Sequence, residues 1–314
     1  YAIPYMNVVL AGIFYNKDMF KQYGLEEPKT LADLENICAT LKENGITPFA
    51  LANASKWTGS MYFMSLAARY GGLEPFQNAV AGTGKFTDDC FIKAGEKIQE
   101  WVKNGYFPDG VNSLSEDDGQ AKQLMYQETA GMLLCGSWYT GTFQTDSEEF
   151  YQKIGWFPFP AIDDSDADPT IQIGTVGDQF ISFNCEGDKL AAAFECAADH
   201  LSDEVEDMIY STGKIAPVKD AGDHISDPVV KEIFDAAQEA SSIQLWYDQY
   251  LPTSVASAHL DGLQEVFGLT KTPQEAQEEM QTAMDEYLST KSDSGAADDT
   301  AEEATDDAAA DDAE

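Results

Sequence analysis

Residues 130 to 138 read AGMLLCGSW: a short apolar run, a Gly-Ser pair, then a tryptophan. The run is a buried strand closed by a sharp glycine turn, and the stretch from Ser137 opens a helix whose first turn carries Trp138. The rest of the chain repeats these elements in irregular order. TLADLENICATLKENG sets Leu31, Leu34, Ile37, Cys38 and Leu41 on one helical face, with Thr30 as N-cap and Gly45 as stop. ITPFALA predicts a strand, and WTGSMYFMSLAARYGG and TDDCFIKAGEKIQEWVKNG predict helices ending at glycines. A further helix is expected over 118–128 and a strand at QFISFN, with helices from Asp188 and Ser202. IGWFPFP, with Pro158 and Pro160, suits a sheet edge or a crossing between domains. The last ordered helix starts at TPQEAQEEM, where Thr272, Pro273 and Glu275 spell a capping box, and is expected to end near Leu288. This alternation predicts an α/β fold with discontinuous domains.

Charge narrows the partners. The 314 residues carry 18 basic and 56 acidic side chains, a net charge of −38, which repels phosphate backbones and anionic membrane surfaces. Nucleic acid is therefore not an expected partner. From Ser292 the chain holds ten carboxylates, no base and no large apolar side chain, and disorder is expected over this acidic tail, 291–314. The remaining body still has 46 acids against 18 bases. The sequence has no apolar run of membrane-spanning length and no basic-then-apolar start.

Several chemical motifs are present only in outline. AGTGKFT (81–87) lacks the first glycine of a phosphate loop, and Phe86 follows Lys85 where a hydroxyl residue is needed. In DDSDADP, Asp164, Asp166 and Asp168 alternate as in a calcium loop, but Pro169 replaces the required glycine. His200, His224 and His259 have no metal-binding or triad neighbourhood. Cys38, Cys90, Cys135, Cys185 and Cys196 are scattered and odd in number, as buried small hydrophobes would be. No cofactor or metal is expected. A glycosidase-like carboxylate pair depends on spatial separation and stays open as a rival.

The aromatics carry more. Trp57 follows NASK, Trp138 and Tyr139 follow Gly136-Ser137, and Trp246-Tyr247-Asp248 precedes QYLPT, all beside turn residues where a core ring is seldom placed. Core packing is the alternative at each. A pyranose has apolar C–H faces and a polar rim, so indoles with neighbouring carboxylates satisfy both, and a carboxylate accepts two hydroxyls in charge-assisted bonds. Asp178 in GTVGDQF suits that acceptor role.

These stretches, together with IFYNKDMFKQYGLEEPKTLADLENICATLKENGITPFAL, AGMLLCGSWYTG, IGWFPFP, GDQFISFN and LPTSVASAHLDGLQEVFGLTKTPQEAQEEMQTAMDEYL, resemble in their order the maltose-binding-like solute-binding proteins of carbohydrate ABC transporters. The resemblance implies a two-lobe, type II periplasmic-binding-protein-like fold with the ligand between the lobes. It implies a first hinge strand at 1–9, second lobe at 10–157, a first-lobe segment at 158–215, and a second-lobe return at 216–290, with most of the first lobe missing. A chain lacking that sheet is expected to expose apolar surface and to be poorly stable. The resemblance also implies a monomeric, extracellular lipoprotein of a Gram-positive cell, its signal and lipid anchor outside this sequence, serving permease subunits without catalysis. Ligand contacts carried over are Trp138, Trp57 and Asp178, with Trp246 and Asp248 near the last cleft loop and Tyr139 in support. A non-sugar solute such as a polyamine is the rival ligand.

Overall fold

Strand β1 (Ile3–Met6) leads into β2 (Val9–Asn16), whose VLAGIFYN is buried along almost its whole length. The computed structural model describes residues 3–6, 8–176, 179–218 and 221–303. After β2 come α1 (Lys17–Tyr23), α2 (Leu31–Glu43), β3 (Thr47–Phe49), α3 (Trp57–Gly71), α4 (Glu74–Ala81), α5 (Asp89–Lys103), α6 (Gln120–Tyr126) and β4 (Ala130–Gly136). Then follow α7 (Tyr139–Asp146), α8 (Glu148–Tyr151), β5 (Ile154–Phe157), β6 (Gln172–Thr175) and β7 (Gln179–Ile181). The last part holds α9 (Asp188–Asp199), α10 (Asp203–Ser211), α11 (Ala221–His224), α12 (Pro228–Glu239), β8 (Ile243–Gln244), α13 (Tyr247–Tyr250), α14 (Thr253–Phe267) and α15 (Pro273–Glu303).

The sheet order is β3-β4-β2-β6-β8, with β5 also paired to β2 in line with β6. Strand β2 is antiparallel to β4, β5 and β6, while β3 is parallel to β4 and β8 to β6. All strands but β2 therefore share one direction, and β3, β4, β6 and β8 end along one edge. Such an edge, where loops leave strand C-termini for helices, is where open α/β sheets place their ligands. Burial on both faces follows from the helices: Phe14 of β2 packs against Phe143 of α7 at 5.6 Å, and Phe49 of β3 against Trp101 of α5.

Caps form where the sequence places them. Thr30 and Asp33 exchange hydrogen bonds in a full capping box on α2, and Thr272 with Glu275 does the same on α15. Buried Arg69 of α3 donates to the carbonyls of Phe159, Pro160 and Ile171, pinning the connection from β5 to β6. Burial lowers its pKa to about 10 without neutralising it.

Strand pairing and the last helix bear on two of the expected boundaries. IGWFPFP contributes β5 to the edge of the sheet, and residues 158–175, assigned by resemblance to the first lobe, lead into β6 of the same sheet. Farther along, β1 pairs antiparallel with β7 (Ile3 opposite Ile181), extending the β2–β6 pairing (Val9 opposite Thr175) into a ribbon beyond the sheet edge. The Val8 N–H donates to Ile215 O at 2.8 Å, so the returning chain joins that ribbon. Helix α15 also passes Leu288 and continues to Glu303, into the stretch where disorder is expected and where Gly295 and the Ser, Thr and Asp residues are weak helix formers.

Helices α9 and α10 leave Leu190, Phe194 (62% exposed) and Met208 (60% exposed) in solvent, whereas Leu34 is fully buried. Leu34→Ala is expected to cost about 2–5 kcal/mol in urea unfolding. Phe194→Ser is expected to stay within about 0.5 kcal/mol while lowering binding of an apolar dye; equal costs for both would contradict this burial pattern.

Candidate functional site

Three of the expected tryptophans meet at the strand-end edge. Trp57 begins α3, Trp138 stands immediately before α7, and Trp246 immediately before α13. Trp138 is the hub: its ring centroid lies 6.0 Å from that of Trp57 at an interplanar angle of 57°, and 6.2 Å from Trp246 at 65°. Trp57 and Trp138 are half-buried, while Trp246 is only 6% exposed and backs Trp138 edge-on. The two half-exposed indoles form an angled apolar corner.

The Gly-Ser pair makes that corner possible. The Ser137 N–H donates to Leu10 O at 2.8 Å and its Oγ accepts from the Leu10 N–H at 3.3 Å, extending the β2–β4 ladder past its end. The indole of Trp138 folds back over Gly136, and any Cβ there would overlap the ring. Next in the chain, Tyr139 is buried against Phe14 and Phe143, and its hydroxyl donates to the Glu116 carboxylate.

Trp57 is held by a different device. The Trp57 N–H donates to Ser55 O at 2.7 Å across Lys56, whose φ of 65° and ψ of −46° make a γ-turn of the rare, positive-φ kind. Such backbone costs about 1–3 kcal/mol in a non-glycine residue. The Lys56–Asp261 ion pair beside it is largely exposed and contributes about 0.2–1 kcal/mol. The remainder comes from the loop's own bonds: Asn53, fully buried, accepts from the Lys56 N–H at 3.2 Å and its N–H donates to Val111 O at 2.9 Å.

Two carboxylates are tied to residues next to the corner: Glu116 bonds Tyr139, and Asp248 follows Trp246 by two residues. Burial raises the Glu116 pKa, with the Tyr139 hydroxyl partly offsetting it. Burial also raises that of Asp248 in α13, opposed by the N–H groups of Asp248 and Gln249. Asp178 lies outside the described residues. His259 is a core group: its Nε2 is 2.7 Å from Ser60 Oγ, and burial lowers its pKa to about 3. Sequence reasoning missed Glu116, in LSEDDG, where it is one acid among several. It also missed Asn53 and the Lys56 turn, because no local pattern marks a strained backbone.

Residues 1–198 match the family model described as bacterial extracellular solute-binding protein. An uncharacterised ABC transporter extracellular-binding protein of Pyrococcus horikoshii is 33% identical over 164 residues, which cover 51% of this chain and 36% of that protein. The multiple sugar-binding protein of Streptococcus mutans is 30% identical over 174 residues, 51% of this chain and 38% of that protein. The matches thus span well under two thirds of either relative. A solved structure described under xylan utilization by the thermophilic bacterium Caldanaerobius polysaccharolyticus has a TM-score of 0.78 and 30% identity, covering 90% of this chain and 72% of that one.

Gly136→Ala is expected to displace the Trp138 indole at a cost of about 1–3 kcal/mol. Near-ultraviolet circular dichroism with urea unfolding checks it, and an unchanged tryptophan spectrum would rule out the close approach.

Proposed function

The chain belongs to the bacterial extracellular solute-binding protein family, with the α/β type II binding-protein fold, and on that premise we propose that it captures an oligosaccharide for an ABC importer. The ligand sits at the strand-end edge, its C–H face against the corner of Trp57 and Trp138. Trp246 buttresses Trp138 from behind, and Asp248 and Asp178 accept hydrogen bonds from sugar hydroxyls. The protein works extracellularly as a lipid-anchored monomer, hands its cargo to permease subunits and leaves it chemically unchanged. Closure around the sugar is favoured only to the extent that the sugar touches both walls.

The observation that carries this reading is the convergence of three turn-adjacent tryptophans at one sheet edge, two of them half-exposed and inclined to each other. An indole face and a nearby carboxylate suit a ring that is apolar on its faces and polar on its rim. Titration with raffinose, xylo-oligosaccharides, chito-oligosaccharides and spermidine, read by tryptophan fluorescence and calorimetry, tests it. Glycan binding without turnover is expected, and Trp138→Ala is expected to weaken it at least about tenfold, roughly 1.4 kcal/mol. Unchanged affinity in Trp138→Ala, spermidine as the sole ligand, or hydrolysed glycan would overturn the reading.

A pH dependence follows from the buried carboxyls. Donation from sugar hydroxyls favours the charged form of Asp248, so affinity falls as pH drops through its raised pKa. The stability sign is opposite: a carboxyl raised by folding favours the folded state when protonated, so acidification through this range does not unfold the protein at Asp248 or Glu116. The capping carboxylates Asp33 and Glu275 are lowered by their hydrogen bonds, so their contribution to stability is lost only at more acidic pH. Glycan affinity is therefore expected to decline at a pH where the far-ultraviolet spectrum is still native, and Asp248→Asn to flatten that decline.

A further inference from the structure

Asn53 lies in the loop from β3 to α3, with no exposed surface. Its Nδ2 donates to Asn112 Oδ1 at 2.8 Å, Asn112 Nδ2 donates to Gln264 O at 2.7 Å, and Gln264 Nε2 donates to Asn53 O at 2.9 Å. Three segments distant in sequence are thus joined in a closed ring of amides. Asn53 also performs a second task. Lys56, next to the first residue of α3, supplies no side-chain cap, and Asn53 Oδ1 reaches across the turn to accept from the Gly59 N–H at 3.0 Å. Gly59 lies so close that a Cβ would overlap this oxygen. The side chain that caps the helix is therefore four positions ahead of its first residue, and everything between the two is the strained turn.

We propose that Asn53 is a positioning residue for the ligand: its amide clasps the Ser55–Lys56–Trp57 γ-turn shut and so fixes the Trp57 indole against Trp138. The proposal rests on the reading of that indole pair as the sugar-contacting corner. The geometry separates the clasp from ordinary packing. The turn holds Lys56 at a positive φ that only glycine adopts freely, so an open clasp lets the backbone relax and carries the adjacent Trp57 with it. The exposed ion pair to Asp261 is too weak to hold the turn by itself. Asn53 is tied to α14 and to the 111–113 turn, so the indole is referenced to the body of the fold instead of to a free loop.

The test combines a ligand-free readout with a binding readout. The exciton signal of the Trp57–Trp138 pair is taken as the circular dichroism difference from Trp57→Phe, and affinity is measured for raffinose and xylotriose. Asn53→Ala is expected to abolish the exciton signal and to weaken either sugar at least tenfold. Adding Lys56→Gly is expected to restore most of both, because glycine holds the turn without a clasp. In the Trp57→Phe background Asn53→Ala is expected to change affinity less than twofold. Should Asn53→Ala fail to fold, Gln264→Met opens the ring while leaving the cap, and a reduced exciton signal is expected. A retained exciton signal in the clasp variants, or an equal affinity loss with and without Trp57, would overturn the proposal. Failure of both sugars to bind wild-type protein would count against the sugar reading, while the exciton signal still decides the clasp.

Discussion

The sheet depends on the backbone of β2. It hydrogen-bonds to β4 on one side and to β5 and β6 in series on the other, and it alone runs against the common strand direction. Its first residues do more than close a ladder. Leu10 exchanges two hydrogen bonds with Ser137, and Val9 and Leu10 pair with Thr175 and Gly174. The tryptophan corner after β4 and the ribbon after β6 are thereby set from the same two residues.

This arrangement links the tryptophan corner to the β1–β7 ribbon. The ribbon of β1 and β7 continues the β2–β6 pair outward, and the chain returning at Ile215 attaches to it through Val8. In the proposed reading this ribbon is the hinge between two units. The corner, by contrast, is rigid. Trp138 is held by the missing side chain at Gly136, by Trp246 behind it and by the buried Tyr139 beside it. A packed corner beside such a ribbon fits the proposed capture and release of a ligand.

Rigidity has been obtained at a cost in backbone strain. Lys56 would be relaxed as glycine, yet the loop keeps lysine in a γ-turn and spends a closed ring of amides to hold it there. Local strain that persists only through surrounding over-determination is a mark of functional segments, and here it sits beside the residue whose ring forms half of the corner.

Much of the fold is legible in the sequence because it is local. The stripe from Leu31 to Leu41, the Thr30 and Thr272 caps, the buried AGMLLC strand and the Gly-Ser turn all rest on contacts within a few residues, and each forms as its spacing predicts. The sequence alone also marks Trp57, Trp138 and Trp246 as unusual, because rings beside turns are seldom core rings. It does not rank them. Only the tertiary structure separates the half-exposed pair from the buried Trp246, since burial is decided by segments far apart in the chain: Trp138 meets rings 81 residues before it and 108 after it. The same holds for the way out of the sheet, where β6 rather than IGWFPFP continues toward the β1–β7 ribbon: both stretches are short and apolar, and strand partners are chosen by long-range pairing. Glu116, Asn53 and the Lys56 turn were invisible for the same physical reason, that a desolvated carboxylate, an amide ring and a strained φ exist only once distant chain segments enclose them.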